Sequence, residues 1–594
     1  MTIKSYKNAT AIIWLIIIRA IIFQNVNANE DIAYHVEIQG VKNIALKKSL
    51  LSYSIAHQQE DSLPSRLFAL EHRAKKDIPI FIKLLRSKAY FNSKIAVEFE
   101  KKAEDTALIF RFELGKPYLL KQVNIELDAE NLEKPSLKLL NLELDKPALT
   151  TAILDAEQTL LNYAKEKAHA FAKLCPKKVV VNHDLQTVNV DLCLNAGKRV
   201  YLGAVSFTGN DNVEAEFLTA LIKWEQGVLY NQLTLDTSRL KLVDSRLFTV
   251  ARLHLASEAD ENGHFPVTFE LKERLPRTIS AGLRLTTDDE LFLFRFAWEH
   301  RNLWREGEAI ETELNISMVK SSLEGSFRKP VFYAPENTFV ANAAFITEDT
   351  DAYESLRAEF SATIEHQYTK KMRVNGGLAY QFSRVTEKEE ISEDFSLVSL
   401  PMRFSWDFSD NFLEPTSGGR LWIDEQPFYD LGSGASFHKQ KIRYNHYFSL
   451  SDDDDFILAG RIILGNIWGA DIQAIPADLR YFAGGGDTVR GYSYQSLSPK
   501  DSTGDLIGGR SLLSLSTEFR AWVTDSIGVV AFVDAGRAYA GTYQDIGDEL
   551  QIGAGLGLRY KTPIGALRLD LARPINKREE DDEFQVYISI GHTF

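Results

Sequence analysis

Apolar and polar positions alternate along the chain with two different periods, and the change falls near residue 277. Before that point, stretches with a helical period lie between short strand-like stretches. From Thr278 to Phe594, strand-like segments that alternate at every second residue follow one another. Leu567–Leu571 is the clearest, with its leucines on one face and Arg568 and Asp570 on the other. The pattern predicts an α+β region followed by an all-β region.

The α+β region repeats one unit at a spacing of about 80 residues. The clearest copy begins at Tyr201 and reads strand, helix, helix, strand, strand, with a turn at Asn262-Gly263 between the last two strands. Earlier copies begin at Tyr34 and at Tyr118. Repeated supersecondary units indicate an array. We therefore predict three β-α-α-β-β modules, at residues 29–115, 116–197 and 198–276.

The all-β region, residues 277–594, fits either a soluble sandwich or a membrane barrel, because the polar face of each strand could be an outer surface or a lumen. The last segment favours the barrel. Phe584, Val586 and Ile588 share one face, and the alternation continues to the aromatic Phe594. Ends of soluble domains usually fray into solvent instead. At about 10 residues per spanning strand, this region predicts a transmembrane barrel of about 16 antiparallel strands.

Residues 1–28 predict a secretory signal peptide. Lys4 and Lys7 precede an apolar run from Ala11 to Phe23, and small residues lie before a cleavage point after Ala28. Arg19 interrupts the apolar run, so an uncleaved amphipathic anchor is the alternative.

The composition excludes several classes of function. A net charge of −14 argues against nucleic acid as a partner. Hydrophobic residues at 45% and charged residues at 25% would suit a soluble protein, but alternating barrel strands barely change such averages. The 22 Tyr and 35 Phe fit the aromatic girdles of a barrel. The 12 histidines are scattered and no catalytic motif is complete, so we predict no enzyme, no metal site and no cofactor.

The two cysteines, Cys175 and Cys193, lie at equal distances from Asp184, the centre of a predicted hairpin. Directly opposite positions on paired strands would allow a disulfide in an oxidising compartment. Pro176 interferes with pairing at this point, and two unpaired thiols are the alternative.

Residues 481–499 carry the motif Val489-Arg490-Gly491-Tyr492. In this setting the motif resembles the long loop of the outer-membrane protein assembly superfamily, which includes BamA, TamA and the two-partner secretion transporters. The three modules resemble that family's polypeptide-transport-associated (POTRA) domains. Other patches similar to the family are Phe532–Gly536, Gly555–Arg559, Asn411–Gly419 and His300–Trp304.

The number of modules indicates which members of the family this chain resembles most in its arrangement. BamA typically has more than three POTRA domains and the two-partner transporters have fewer, so this arrangement is similar to TamA. That resemblance implies a bacterial outer-membrane location with the modules in the periplasm. It implies an inner-membrane TamB-like partner, unfolded outer-membrane or autotransporter clients, and contact with lipid or lipopolysaccharide. A two-partner-secretion-type transporter, a passive diffusion channel and lipid transport between the two membranes are the alternatives.

The resemblance also implies that the loop folds into the barrel and that Arg490 meets an acidic residue of the inner wall. Asp534 is the first candidate partner and Glu518 the second. A guanidinium can bind a carboxylate through two hydrogen bonds, which would fix the loop to the wall. The alternatives are a solvated Arg490 and a generic polar lumen residue at Asp534.

The same resemblance suggests how a barrel without catalytic residues could act. An unpaired backbone group is costly in hydrocarbon, and an opened barrel edge could template a client strand by pairing with it. We predict such a seam between the first strand, near 278–285, and the last strand, 585–594. Gly591 would weaken pairing near the end of the last strand, which closes at Phe594.

Overall fold

A computed structural model describes residues 32–101, 105–129, 132–285, 292–387, 392–545, 547, 549–562 and 566–590. The predicted signal peptide with Arg19, and the seam residues Gly591 and Phe594, lie outside the described residues. The chain forms two compact units: one joins residues up to 203 with 227–235 and 259–265, and the other joins 204–226, 236–258 and 266–594. None of the described helices combines the length and the apolar character needed to cross a membrane.

Module 1 is a three-stranded sheet covered by helices. Its strands pair in the order β1-β3-β2, with β1 parallel to β3. Asn43 accepts a hydrogen bond from Leu46 N at the start of the first helix, as an N-cap does. The core includes Phe81 and Phe110, whose rings meet edge to face at 4.9 Å. The elements are β1 (Tyr34–Gln39), α1 (Ile44–Tyr53), α2 (Ile55–Gln58), α3 (Leu67–Ser87), β2 (Lys94–Lys101) and β3 (Thr106–Glu113).

Module 2 has a single helix in its described residues. Residues 137–141 form a turn where the repeat pattern predicts the first helix. Asn141 adopts φ +53°, a left-handed conformation that ends a helical turn. The sheet has the order β4-β7-β5, with β6 also paired to β7. The elements are β4 (Leu119–Asp128), α4 (Thr150–Glu166), β5 (Lys173–Leu174), β6 (Lys178–Asn182) and β7 (Thr187–Asn195).

Cys175 and Cys193 form a disulfide with a Cα–Cα distance of 5.1 Å. The strand register explains how they meet. In β5, Leu174 pairs with Leu194, whereas in β6 Lys178 pairs with Asp191, so the register shifts by one residue across Pro176. The β5 register places the two cysteines opposite each other, and Cys175 N donates to Cys193 O at 3.1 Å.

Module 3 repeats the order strand, helix, helix, strand, strand, with its sheet in the order β8-β10-β9. Its elements are β8 (Leu202–Thr208), α5 (Ala215–Ile222), α6 (Gln232–Asp244), β9 (Phe248–Leu255) and β10 (Phe265–Glu273).

Module 3 contacts two barrel turns through the residues that flank α5. Glu214 N donates to Arg305 O at 2.9 Å, and Arg305 Nε lies 3.1 Å from Glu214 Oε1. Asn302 Nδ2 donates to Asn212 O at 2.6 Å. Lys223, just after α5, forms an ion pair with Glu336.

The remaining strands form one antiparallel sheet in sequence order, the barrel wall. Its strands are β11 (Arg277–Leu285), β12 (Phe292–Arg301), β13 (Ala309–Ser317), β14 (Lys320–Pro330), β15 (Asn337–Asp349), β16 (Tyr353–Thr369), β17 (Met372–Glu387), β18 (Glu393–Ser399), β19 (Met402–Asp407), β20 (Gly418–Asp430), β21 (Ser436–Ser449), β22 (Phe456–Trp468), β23 (Ser511–Trp522), β24 (Ile527–Tyr539), β25 (Gln551–Tyr560), β26 (Leu567–Pro574) and β27 (Gln585–Ile590).

These 17 described segments fill 16 positions in the wall. The reason is that β18 and β19 both pair with β17 and with β20, so they are two halves of one strand. The break falls at Leu400-Pro401, where proline cannot donate a ladder hydrogen bond. The count agrees with the strand number that the sequence predicts.

The two faces of the wall follow the sequence alternation. On β26, Leu567, Leu569 and Leu571 are 38%, 43% and 48% exposed, whereas Asp570 is 5% exposed. The leucine face is the outside and the Asp570 face is the lumen. The lumen is filled in part by the long loop 469–510, which joins β22 to β23 and packs its apolar side chains against the wall.

Candidate functional site: an arginine held in the barrel lumen

Glycines shape the part of the long loop that enters the lumen. Gly484 and Gly491 have φ of +106° and +100°, values that other residues rarely adopt. Between them, Gly485 bridges to Val489, and Gly484 N donates to Thr488 Oγ1 at 2.9 Å. This tight turn presents Arg490 to the inner wall.

Arg490 and Asp534 make the central contact of the site. The guanidinium donates from Nε to Asp534 Oδ2 at 2.7 Å and from Nη2 to Oδ1 at 2.9 Å. The backbone N of Arg490 also donates to Oδ2, at 3.1 Å. Asp534 lies on β24 and is fully buried. Such a bidentate pair fixes both position and orientation.

Two further acidic residues accept from Arg490 Nη1. Glu518 on β23 accepts at 2.7 Å and Asp570 on β26 at 3.0 Å. Ser516 Oγ accepts from Nη2 at 3.3 Å and itself donates to Asp534. The guanidinium carbon lies 3.5 Å from the centre of the Phe532 ring, close enough for a cation–π interaction. One side chain thus joins three strands of the wall.

Two wall arginines contact the same carboxylates directly. Arg520 Nη2 lies 2.8 Å from Glu518 Oε2. Arg559 Nη2 donates to Asp570 Oδ2 at 3.1 Å. These hydrogen bonds and ion pairs join three carboxylates to three guanidinium groups in a buried cluster, and Arg461 and Arg568 interact electrostatically with the same carboxylates. Such a cluster is stable only while it stays complete, since removal of one member leaves a buried charge unpaired.

The backbone beside Arg490 fits closely against β25 and β26. A Cβ atom on Gly553 would lie 1.8 Å from Arg490 O, and one on Gly491 would lie 2.8 Å from the carbonyl carbon of Arg573. Glycine is thus required at both positions for this approach. β25 and the next-to-last strand, β26, thus hold the loop through close backbone contact as well as through charged side chains.

The other motif residues anchor the loop to the last strand and the turn before it. Gly491 N donates to Tyr587 Oη on β27 at 3.0 Å. Tyr492 is 1% exposed, and its hydroxyl donates to Asn576 Oδ1 at 2.8 Å. Val489 is fully buried in the apolar core between loop and wall.

The structure brings together Arg490, Asp534 and Glu518, the residues that the family resemblance singles out. Sequence reasoning missed the roles of Asp570, Ser516, Phe532, Tyr587 and Asn576. The strand alternation places Asp570 on the polar face of its strand, but no sequence pattern shows that it meets a residue 80 positions away. We call Arg490 with Asp534, Glu518 and Asp570 the arginine lock, because Arg490 bonds to all three carboxylates and so holds the loop on the wall.

The fold and the lock together define a class of protein. Three β-α-α-β-β-like modules precede a barrel that holds an arginine-bearing loop, as in outer-membrane β-barrels with periplasmic POTRA domains. Residues 302–594 match the model of the Omp85 superfamily domain. The part of the chain that forms most of the barrel is thus similar to the Omp85 superfamily.

Individual relatives are distant. The outer membrane protein assembly factor BamA of Nitratidesulfovibrio vulgaris is 22% identical over 507 residues, which cover 81% of this chain and 62% of that protein. BamA of Neorickettsia risticii is 20% identical over 599 residues, which cover 94% of this chain and 78% of that protein. This chain thus spans less than two thirds of the first relative's length.

A solved structure shows the same fold. The crystal structure of Haemophilus ducreyi BamA lacking POTRA domains 1–3 aligns with a TM-score of 0.66 at 18% identity. The alignment covers 80% of this chain and all of that one.

Proposed function

We propose that this protein assists the insertion or translocation of outer-membrane client proteins, such as autotransporters, through a lateral seam between β11 and β27. Moving a backbone group from water into hydrocarbon without a hydrogen-bond partner costs on the order of 2–7 kcal/mol. A barrel that opens at one seam offers a client strand an edge to pair with.

One observation carries this proposal. The arginine lock grips β23, β24 and β26, and the next motif residue bonds to β27, so the loop holds the group of strands that ends at the seam. Across that seam, β11 and β27 have Cα atoms within 8 Å of each other, but no ladder pairing joins their described residues. A group of strands held together up to the seam suits a gated opening there.

A crosslink across the seam tests the proposal. One cysteine is placed in β11 and one in β27, and client insertion into bilayers is measured before and after oxidation. The control pair is Ser326→Cys with Asn342→Cys, which face each other on the continuous wall between β14 and β15. We expect the seam crosslink to stop insertion until it is reduced and the control crosslink to have no effect. Full insertion by the seam-locked protein contradicts the proposal.

We further propose, by analogy with TamA, that the periplasmic modules bind an inner-membrane TamB-like partner. The number of modules supports this proposal over a two-partner secretion transporter. The packing of loop 469–510 in the lumen disfavours a passive diffusion channel, because the loop fills part of the pore. Affinity capture from detergent-solubilised membranes tests the partner: recovery of a large inner-membrane protein supports it, and its absence from material that retains the clients contradicts it.

A further inference from the structure

A second pair of charged residues lies in the loop, ahead of the arginine lock. Asp478 belongs to a short 3-10 turn, Ala477–Leu479, and Arg480 follows it. Their side chains are 0% and 3% exposed. Charged side chains are seldom buried so fully without a partner, so their contacts indicate what holds this part of the loop.

Asp478 bonds to two neighbouring strands of the wall. Its Oδ2 accepts from Arg357 Nη1 on β16 at 3.1 Å and from Ser383 Oγ on β17 at 2.7 Å. Arg357 is also 2.7 Å from Glu359 on the same strand. The loop carboxylate therefore completes a charged group that the wall supplies.

Arg480 makes a bidentate contact with the far end of β17. Its Nη1 and Nη2 donate to the two carboxylate oxygens of Glu387 at 2.8 and 2.7 Å. It also donates to Ile475 O and Ile507 O, each at 2.9 Å. One guanidinium thus ties the ingoing and outgoing arms of the loop to each other and to the wall.

The two sets of contacts lie on opposite sides of the barrel. Counted from β11, β16 and β17 are the sixth and seventh of the 16 wall positions, and β23, β24 and β26 are the twelfth, thirteenth and fifteenth. They are about half a circumference apart, since the strands of a closed barrel are evenly spaced. Between the two sets, the loop packs against the intervening wall strands through Phe428, Phe437 and Ile463. The apolar loop residues of this core are Ile475, Leu479, Tyr481, Val489, Tyr492 and Leu497.

We propose that Asp478 and Arg480 form a second anchor, and that the loop is a brace that spans about half of the barrel wall. One end grips β16 and β17, and the other grips the strands that lead to the seam. The brace itself does not depend on the proposed function. Its consequence for that function is that seam opening requires release of either end, so the second anchor limits opening although it lies on the far wall.

The test uses distances measured between spin labels in the full-length protein in bilayers, without any client. Labels at Asp351→Cys, in the turn before β16, and Ser502→Cys, in an exposed part of the loop, report displacement of the loop from the far wall. The native cysteines are joined to each other and stay unlabelled. The variants are Arg480→Gln and Asp478→Asn, with Arg480→Lys as a milder change that keeps the charge but loses the bidentate contact.

The matched control is Arg384→Gln. Arg384 pairs with Asp394 at 2.7 Å between β17 and β18, but the pair is exposed and faces away from the loop. We expect a narrow distance distribution in the parent and the control. In the anchor variants, the fraction of molecules whose loop is displaced from the wall should rise about tenfold. That factor corresponds to a change of about 1.4 kcal/mol in the free energy of displacement.

An unchanged distribution in Arg480→Gln and Asp478→Asn overturns the brace, as does equal broadening in Arg384→Gln. If the two anchor variants do not fold, Arg480→Lys decides by the same criterion. Client insertion is measured separately. A broadened distribution with no insertion by any variant or parent would leave the brace standing and contradict the proposed function.

Discussion

Arg490 donates three hydrogen bonds to a single carboxylate, that of Asp534, from Nε, Nη2 and its own backbone N. The two residues are 44 positions apart in the chain and come from a loop and from the wall. Because the backbone takes part, the contact fixes the path of the loop as well as the side chain. Several consequences can be measured.

Removal of the Arg490 side chain should lower the free energy of unfolding of the barrel more than replacement of Asp534. Arg490→Ala removes the guanidinium that all three buried carboxylates share, whereas Asp534→Asn leaves Arg490 bound to Glu518 and Asp570. Breaking a buried pair by removing one partner costs about 3–5 kcal/mol, and we expect Arg490→Ala to approach that loss. Urea titration of the barrel in detergent, followed by the mobility of folded and unfolded forms on gels, gives the ranking. Equal losses in both variants would contradict a shared cluster.

A methyl group on Gly553 should displace the loop without altering any charge. The new Cβ would lie 1.8 Å from Arg490 O, so the loop backbone must move. Gly460→Ala on β22 is the control, because the nearest atom to its Cβ is Ser516 O at 4.0 Å. Limited proteolysis of the loop should be faster in Gly553→Ala and unchanged in Gly460→Ala. Equal protection in the two variants would show that the loop does not need this close approach.

Loss of the disulfide should destabilise module 2 and leave the barrel intact. Cys175 and Cys193 close a loop with a sequence separation of 18 residues. A crosslink across a loop of this size contributes about 3 kcal/mol, through the entropy of the unfolded chain. We expect Cys175→Ser with Cys193→Ser to unfold module 2 at a lower urea concentration, detected as cleavage near Val179-Val180. The unfolding of the barrel, measured on the same samples, should not shift.

The contact between module 3 and the barrel should weaken in acid. The hydrogen bond from Lys223 holds the pKa of Glu336 below its ordinary value, against the opposing effect of burial. Lys223 and Lys241 both face this carboxylate. A lowered pKa means that the stabilisation is complete above the ordinary pKa and is lost as the pH falls through the folded value. The pair is partly exposed, so we expect less than about 1 kcal/mol.

Distance measurements between a label on α5 and one on the β14–β15 turn should therefore show a broader distribution at low pH. Glu336→Gln should show the broad distribution at every pH, because its amide does not ionise. A pH response that survives unchanged in Glu336→Gln would assign it to another group.

Several features were predictable because they depend on the local pattern alone. The alternation of Leu567–Leu571 identifies the two faces of β26, since a strand turns successive side chains to opposite sides. The repeat of strand and helix periods predicts three modules. In module 2 the pattern overstated the helix content: the stretch that could form the first helix is only a turn, which Asn141 ends.

Other features follow from the closure of the barrel. Asp478 and Arg480 are indistinguishable in sequence from solvated loop charges, and only the folded wall gives them Arg357, Ser383 and Glu387 as partners. The same holds for Asp570, which has the right face for the lumen but gains Arg490 only because the loop folds inward.

The sequence by itself determined the periodicity of the strands, the repeat of the modules and the presence of an arginine-bearing, glycine-rich loop. Those properties depend on residues that are close together in the sequence, so they do not require the tertiary structure. The tertiary structure decided which wall residues receive the loop, because positions far apart in the chain become neighbours only when 16 strand positions curve around one lumen. Desolvation there makes each buried charge depend on a partner, and the partners of Arg490 and Asp478 on opposite walls are set by that geometry.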